Sequence, residues 1–307
     1  MTINPVYEFE LRKSEFIGHW FYLNLTTLEP LYNSKDKVFI TIDEKDLTDF
    51  QVETFKLLSH KFTYIEKKDN TILLPALKVR NTPYYKKIPI LKNYDWYFKL
   101  AREISKIPFF KDHYYKISFL DRFFHRPFID PKHFIFLRKL FEEALLSNFK
   151  SEFESFPKKI YIRRAGSHLL KSNAKNIDPK LNPQQKTRQV INEDELVEFL
   201  EKKDFFIVDT SKYTIGDKLL LFKNAETILS PEGGGFTYTF ICNKNVKICA
   251  ITVKEPPNIF IDHYYDQSTI FNLKYYRFTD VNQIDEWENM FVDIKKLEKY
   301  LKSKKLI

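Results

Sequence analysis

The sequence is poor in glycine, cysteine and long apolar runs. The last two shortages narrow the class of protein. It holds six glycines and two cysteines in 307 residues. No apolar run reaches the roughly 20 residues of a membrane-spanning helix, and no signal-peptide stretch opens the chain. We therefore expect a cytoplasmic protein. Cys242 and Cys249 lie in one apolar segment without metal-ligand spacing, which predicts buried thiols in a reducing compartment.

Apolar, aromatic and basic side chains are abundant. The residues are 43% hydrophobic and 30% charged, which excludes a disordered chain. The formal net charge of +9 favours an anionic partner, which is a small anion, an anionic membrane surface or nucleic acid. We attribute the 17% aromatic content to a compositional bias rather than to a dedicated binding surface.

Hydrophobic periodicity predicts alternating strands and helices in both halves of the chain. Strands are predicted at 37–42, 63–65, 71–74, 159–162, 205–208, 227–229 and 246–253. Helices are predicted at 47–59, 131–148, 192–202, 214–222 and 285–304, with Asn192 and Thr214 as N-caps. The alternation predicts an α/β fold whose second half is a doubly wound, nucleotide-binding sheet.

Three of the six glycines stand together, as Gly233, Gly234 and Gly235. They follow a predicted strand and precede a predicted helix that starts at Phe236. Such a turn lets backbone N–H groups approach an anion, and the helix N-terminus adds partial positive charge. A diphosphate is the expected ligand, and the alternative is a tight turn that binds nothing. Neither GxGxxG nor a P-loop pattern is present.

Two arginines, Arg163 and Arg164, end a predicted strand. In an open α/β sheet the carboxyl ends of the strands face the ligand crevice, where a guanidinium group can hold phosphate with two parallel N–H donors. The alternative is a surface ion pair.

Two residues are candidate general bases. His19 lies in an apolar stretch, and an imidazole that titrates near neutrality suits deprotonation of a hydroxyl; the alternative is a hydrogen-bonded core histidine. Glu232, beside the glycines, is a base, a sugar-hydroxyl acceptor or a helix-cap carboxylate. The group of Asp121, His125 and Asp130 fits no tight metal site, so we expect no metal.

Three motifs in this order resemble the family 61 glycosyltransferases. Lys159-Ile-Tyr-Ile-Arg-Arg164 is similar to a family strand that ends in Ser-Arg, with Arg164 at the arginine position. Arg188-Gln-Val-Ile-Asn-Glu-Asp-Glu195 resembles the Arg-Arg-x-x-Asn-Glu helix opening. Ser230-Pro-Glu-Gly-Gly-Gly-Phe-Thr237 resembles the loop Gly-Pro-His-Gly-Ala-Gly-Leu-Thr. A weaker match covers Gly18-His19-Trp20, with Leu28 and Pro30 downstream.

The chain departs from the family pattern at several positions. Glu232 stands where the loop histidine is usual, and Tyr238 replaces an asparagine. Ala250 stands where the next strand usually carries a glutamate. The segment between Gly166 and Arg188 is longer than expected.

The resemblance implies a GT-B fold, with two Rossmann-like domains facing a cleft. An N-terminal acceptor-side domain would span 1–154, and a nucleotide-sugar-binding domain would span 155–275. The C-terminal helix, within 276–307, would cross back to the first domain.

The resemblance also implies a metal-independent, inverting transfer from a nucleotide diphospho-sugar to a glycan in surface-polysaccharide or glycoprotein synthesis. The catalytic candidates are His19 and Glu232. The donor-binding candidates are Arg163, Arg164, Arg188, Gly233, Gly234, Gly235, Phe236 and Thr237, although Arg188 has the alternative of pairing with an acidic residue. A lipid-linked acceptor would bring peripheral membrane contact, for which Lys302-Ser-Lys-Lys305 is an indication.

Two other functional classes remain open from the sequence. A nucleic-acid-binding protein would use the positive charge and the Tyr, Phe and Lys mixture of residues 80–127. A relative that binds glycans or nucleotides without catalysis is the second, raised by the substitutions in the loop.

Overall fold

The computed structural model describes residues 6–8, 21, 25–33, 38–42, 48–66, 131–164, 188–253, 262–285 and 288–307. These residues form an α/β fold whose two larger sheets are parallel, which confirms the α/β part of the predicted fold class. The strand predicted at 71–74 lies outside the described residues. Of the helices within them, none combines the length and apolar character needed to cross a bilayer.

The first half contains a three-stranded parallel sheet. Its strands are β1 (Val6–Glu8), β2 (Val38–Ile42) and β3 (Phe62–Glu66), in that spatial order. Its helices are α1 (Glu29–Tyr32), α2 (Asp49–Leu57) and α3 (Pro131–Asn148), with 3₁₀ segments at Leu25–Leu28 and Leu58–His60. α3 has the predicted bounds because proline loses no helical hydrogen bond at the first position.

The second half contains a five-stranded parallel sheet with the spatial order β5-β4-β6-β7-β8. Its strands are β4 (Lys159–Arg163), β5 (Phe206–Asp209), β6 (Thr227–Pro231), β7 (Lys247–Ile251) and β8 (Lys274–Phe278). The helices are α4 (Glu193–Glu201), α5 (Ile215–Asn224) and α6 (Asp262–Ile270), and a 3₁₀ helix, Gly234–Ile241, follows β6. Thr214 caps α5 as predicted, since its side chain accepts from the Asp217 N–H.

Alternate residues of β4 enter two apolar clusters on opposite faces of the sheet. Ile160 and Ile162 belong to a cluster that includes Phe21 and Phe141 of the first half. Tyr161 belongs to the other cluster, with Leu196 of α4. Apolar residues of both halves therefore share one cluster.

The two cysteines, Cys242 and Cys249, are buried thiols, as the sequence predicts. Burial raises the pKa of the Cys242 thiol. The Cys242 thiol is therefore not primed for nucleophilic chemistry.

The C-terminal segment differs from its predicted single helix. β9 (Val281–Gln283) and β10 (Met290–Val292) form an antiparallel pair, and α7 (Ile294–Ser303) begins after Asp293, whose side chain accepts from the Lys296 N–H. The buried face of α7, with Leu297 and Leu301, packs in the α4 cluster of the second sheet. The prediction that this helix packs on the first domain is wrong for its buried face, because its apolar residues cover the second sheet.

Candidate functional site

The strand order of the second sheet reverses between β4 and β6. β4 is the first strand of this sheet along the chain; the second, β5, lies on one side of it and the third, β6, on the other. In open α/β sheets, ligands bind outside the carboxyl ends of the strands at such a switch point. Arg164 follows β4 and the glycines follow β6, so the topology brings both predicted features to one edge.

Arg164 is held against the glycine turn. Its Nη1 donates to the carbonyl oxygen of Glu232 at 2.7 Å. Burial, and after it the positive charge of Arg188, lowers the pKa of Arg164 to about 10. The value remains well above neutrality, so Arg164 is a cation at pH 7.

Arg163 faces the other side of the sheet, because successive strand residues point to opposite faces. Its Nε donates to Glu193 Oε2 at 2.8 Å, and its Nη2 donates to Asp194 Oδ1 at 3.3 Å. The assignment of Arg163 to donor binding is therefore corrected. It forms an ion pair with the first turn of α4, as the alternative interpretation predicts.

The glycine turn needs glycine at its first position. Gly233 has φ +151° and ψ −156°, a conformation that is essentially restricted to glycine. A Cβ atom there would lie 2.4 Å from Arg164 Nη1, so Gly233 also allows the arginine to approach the backbone. At Gly235, a Cβ would lie 3.0 Å from Ser230 Oγ. The turn is thus packed closely against the ends of β4 and β6.

The next two residues, Phe236 and Thr237, are buried beneath the turn. The Phe236 N–H donates to the Gly233 carbonyl at 3.0 Å, and its ring meets the Tyr264 ring edge-on, with centroids 5.6 Å apart. The Thr237 side chain lies near the Tyr264 hydroxyl, whose pKa burial raises and Thr237 lowers. The described contacts of Phe236 and Thr237 therefore support the turn, whereas Gly234 is exposed at its surface. The predicted helix after the glycines is a 3₁₀ helix.

Glu232 lies under the turn rather than on it, with 1% of its surface exposed. Its carboxylate accepts from Thr252 Oγ1 at 2.5 Å and from Arg277 Nη2 at 3.0 Å, and it forms an ion pair with Arg277. The Tyr275 hydroxyl lies 3.4 Å from the other carboxylate oxygen. The buried carboxylate therefore joins the turn to β8 and to the residue that follows β7.

Arg188 pairs with an acidic residue, which was one of its two predicted roles. Its Nε donates to Glu288 Oε2 at 2.7 Å. Its charge also acts on the pKa of Arg164, so it stands close to the predicted donor-binding arginine. Both predicted roles of Arg188 are thus compatible with its position.

Three residues of this region, Tyr264, Arg277 and Glu288, were missed from the sequence. Arg277 carries a usable signal, because a charge between two aromatic residues of a strand, Tyr276 and Phe278, needs a partner when it is buried. Tyr264 and Glu288 lie in segments without a recognisable motif, far along the chain from the residues that they contact.

His19 and the group of Asp121, His125 and Asp130 lie outside the described residues. Within the described ranges, no three His, Cys, Asp or Glu side chains are grouped so that they could hold a metal ion.

The fold and this edge define a parallel α/β protein with cations and a glycine turn at its switch point. The family model for glycosyltransferase 61 matches residues 17–249, so the chain belongs to glycosyltransferase family 61. A search of curated proteins finds no match. Among solved structures, the chain is similar to the E. coli heptosyltransferase WaaC with ADP, at 10% identity and a TM-score of 0.35, over 98% of this chain and 97% of that one.

Proposed function

We propose that this family 61 glycosyltransferase moves a sugar from a nucleotide diphospho-sugar to a hydroxyl group of a glycan. The observation that carries the proposal is the joint position of Arg164 and the glycine turn at the switch point of the second sheet. Synthesis of a surface polysaccharide or of a protein-linked glycan is the expected setting.

A diphosphate suits the charges of this edge. Arg164 and Arg188 are two cations close enough for one to lower the pKa of the other, and Arg164 is half-buried. Like charges in such a place repel each other, and a ligand with two negative phosphates relieves that repulsion. The same groups would stabilise the charge that the diphosphate gains as it leaves, so the proposed mechanism needs no metal ion.

The proposed step is a single displacement. The acceptor hydroxyl oxygen forms a bond to the anomeric carbon while the bond from that carbon to the diphosphate oxygen breaks, which inverts the configuration. The hydroxyl proton passes to a general base, and the electron pair of the broken bond stays on the nucleoside diphosphate. His19 is our first candidate for the base. The Glu232 carboxylate is a poor candidate, because it is already bonded to Thr252 and Arg277.

The partners in this proposal are a nucleotide-sugar donor and a glycan acceptor. The donor would bind residues 155–275 and the acceptor residues 1–154. A lipid-linked acceptor is compatible with the exposed lysines of α7, such as Lys295, Lys299 and Lys302, near which an anionic membrane surface would be favoured.

A thermal-shift screen tests the proposed ligand class. At a hundredfold excess over Kd, at least one of UDP, GDP, CDP, ADP and dTDP should raise the unfolding midpoint by about 3–5 °C. The matching monophosphate, at the same concentration as the diphosphate, should give a clearly smaller shift of the midpoint because it lacks the second phosphate. Equal shifts for the two would contradict a diphosphate site. Salt-sensitive binding of a single-stranded oligonucleotide without any nucleotide shift would support the nucleic-acid alternative.

Two substitutions separate the candidate bases. His19→Ala should lower turnover by about 10²–10⁴-fold, the usual contribution of a general base, while the nucleoside diphosphate still binds. Glu232→Gln should instead lower the free energy of unfolding by about 3–5 kcal/mol, because Arg277 loses a buried counter-charge. Turnover with a donor, calorimetric binding and denaturant unfolding are measured on both variants.

His19→Ala with wild-type turnover would remove this residue from the mechanism. Glu232→Gln with wild-type stability, wild-type donor binding and lost turnover would make the carboxylate the base.

A further inference from the structure

Arg188 and Glu288 form a half-hidden ion pair with an unusual backbone. Their side chains are 17% and 11% exposed, and Arg188 Nε donates to Glu288 Oε2 at 2.7 Å. Both residues have positive φ, +48° for Arg188 and +60° for Glu288. Residues other than glycine seldom adopt this conformation, and each instance costs about 1–3 kcal/mol. The surrounding structure therefore holds both partners of the pair in place.

That surrounding structure is a short pairing of two segments. The Gln189 carbonyl accepts from the Met290 N–H, and the Met290 carbonyl accepts from the Ile191 N–H, each at 2.8 Å. Asn289 adds two links: its side chain accepts from the Gln189 N–H at 2.8 Å and donates to Asp285 at 2.8 Å. The backbone that carries Arg188 is thus fixed to the backbone that carries Glu288.

The paired segments are attached to the predicted donor edge. Asn192 does not cap α4 with its side chain; its Nδ2 donates to the Val292 carbonyl and its Oδ1 accepts from the Val292 N–H. The next residue, Glu193, accepts from the Tyr161 hydroxyl and from Arg163, both near the carboxyl end of β4. Arg164 follows that strand, so these contacts tie the segment that carries Arg188 to the end of β4.

The charges of Arg188 and Arg164 affect the pKa values of neighbouring groups. Arg188 lowers the pKa of Arg164, and Glu288 and Glu232 oppose that effect. Burial raises the pKa of Tyr264 to about 12, and the charges of both arginines oppose that rise. Like charges repel each other, so contacts with neighbouring groups must hold Arg188 near Arg164.

We propose that Glu288 is a positioning residue, which holds Arg188 as the second phosphate-binding cation of the donor site. The proposal rests on the proposed function. A guanidinium group has one N–H on Nε and four on its two Nη atoms. Glu288 engages Nε, so it fixes the plane of the group while the Nη atoms remain chemically suited to phosphate oxygens. Arg164 would contact one phosphate and Arg188 the other.

The test uses the full chain and whichever of UDP, GDP, CDP, ADP or dTDP gives the largest thermal shift. Calorimetric Kd values are measured for the wild type, Arg188→Ala, Glu288→Ala, Glu288→Gln and the double variant Arg188→Ala/Glu288→Ala. Glu198→Ala removes a carboxylate from an exposed ion pair on α4 and serves as the control. Thermal midpoints without ligand report whether each variant folds.

Glu288→Ala should weaken binding about tenfold, the effect of losing the hydrogen bond that orients a charged group. Glu288→Gln should bind as tightly as the wild type, because its amide oxygen still accepts from Nε. The double variant should match Arg188→Ala, since Glu288 acts through Arg188. Glu198→Ala should bind like the wild type.

Three results would overturn the proposal. Wild-type or tighter binding by Glu288→Ala would show that the carboxylate does not position Arg188. Equal losses in Glu288→Gln and Glu288→Ala would show that charge matters rather than orientation. A double variant weaker than Arg188→Ala would show that Glu288 acts by another route.

If Glu288→Ala fails to fold, the test rests on Glu288→Gln and Arg188→Ala. Wild-type binding by Glu288→Gln together with at least a tenfold loss of affinity in Arg188→Ala supports the proposal. Any other combination of results for these two variants rejects it. A wild type that binds no diphosphate rejects the proposed function itself, and this role with it. Wild-type binding that Glu288 substitutions leave unchanged rejects this role alone.

Discussion

Replacing Arg164 with alanine should weaken nucleoside diphosphate binding by about 30–100-fold. The guanidinium group is cationic at neutral pH and is fixed by the Glu232 carbonyl at the end of β4. Charge-assisted hydrogen bonds to a phosphate contribute about 2–3 kcal/mol, which corresponds to that loss of affinity. Calorimetry measures the change, with the thermal midpoint as a check on folding.

The chain supplies a matched control for this substitution. Arg163→Ala removes the same side chain one residue earlier, but from the opposite face of the strand, where Glu193 and Asp194 hold it. Its diphosphate affinity should stay within about twofold of the wild type, because its half-exposed ion pair lies on the face of the sheet opposite to Arg164. Equal losses in the two variants would remove the switch-point edge from consideration as the donor site.

Replacing Gly233 with alanine should have a comparable effect on binding and an added effect on stability. The backbone conformation is essentially restricted to glycine, and the new Cβ would meet Arg164 Nη1 at 2.4 Å. The strain should lower the free energy of unfolding by about 1–3 kcal/mol, and displacement of Arg164 should weaken diphosphate binding at least tenfold. Denaturant unfolding and calorimetry measure the two effects separately.

Gly234→Ala provides the comparison for Gly233→Ala. Gly234 is exposed and lies at the start of the 3₁₀ helix with a φ that other residues adopt. Alanine there should change stability by less than about 1 kcal/mol. If both alanine variants lost binding to the same extent, the general mobility of the turn rather than the approach of Arg164 to Gly233 would explain the loss.

The sequence predicts this site in part, because its strongest signals are local. Apolar runs mark the strands, and three adjacent glycines after one of them mark the turn. The choice between Arg163 and Arg164 also follows from strand alternation once the register of β4 is known. That register depends on which face α4 covers, and this depends on packing that no short stretch of sequence encodes.

Other parts of the site required the three-dimensional structure. Glu288 meets Arg188 across about a hundred residues, and Arg277 meets Glu232 across 45. The sequence does not predict that α7 packs on the second sheet, because amphipathic spacing shows that one face of a helix is buried but not which surface covers that face. The sequence predicts a helix where the strand Met290–Val292 lies, because the apolar residues of that strand also fit the helical spacing of the segment that follows.

The buried carboxylate of Glu232 limits which residue the neighbouring strand β7 can carry at position 250. The sheet register pairs Ala250 on β7 with Arg277 on β8, and residues in register share a face. A glutamate at position 250 would therefore lie next to residue 277. Glu232 already supplies the counter-charge of Arg277, so that glutamate would be a second buried carboxylate beside a single cation. The ion pair between Glu232 and Arg277 therefore favours an uncharged residue at position 250.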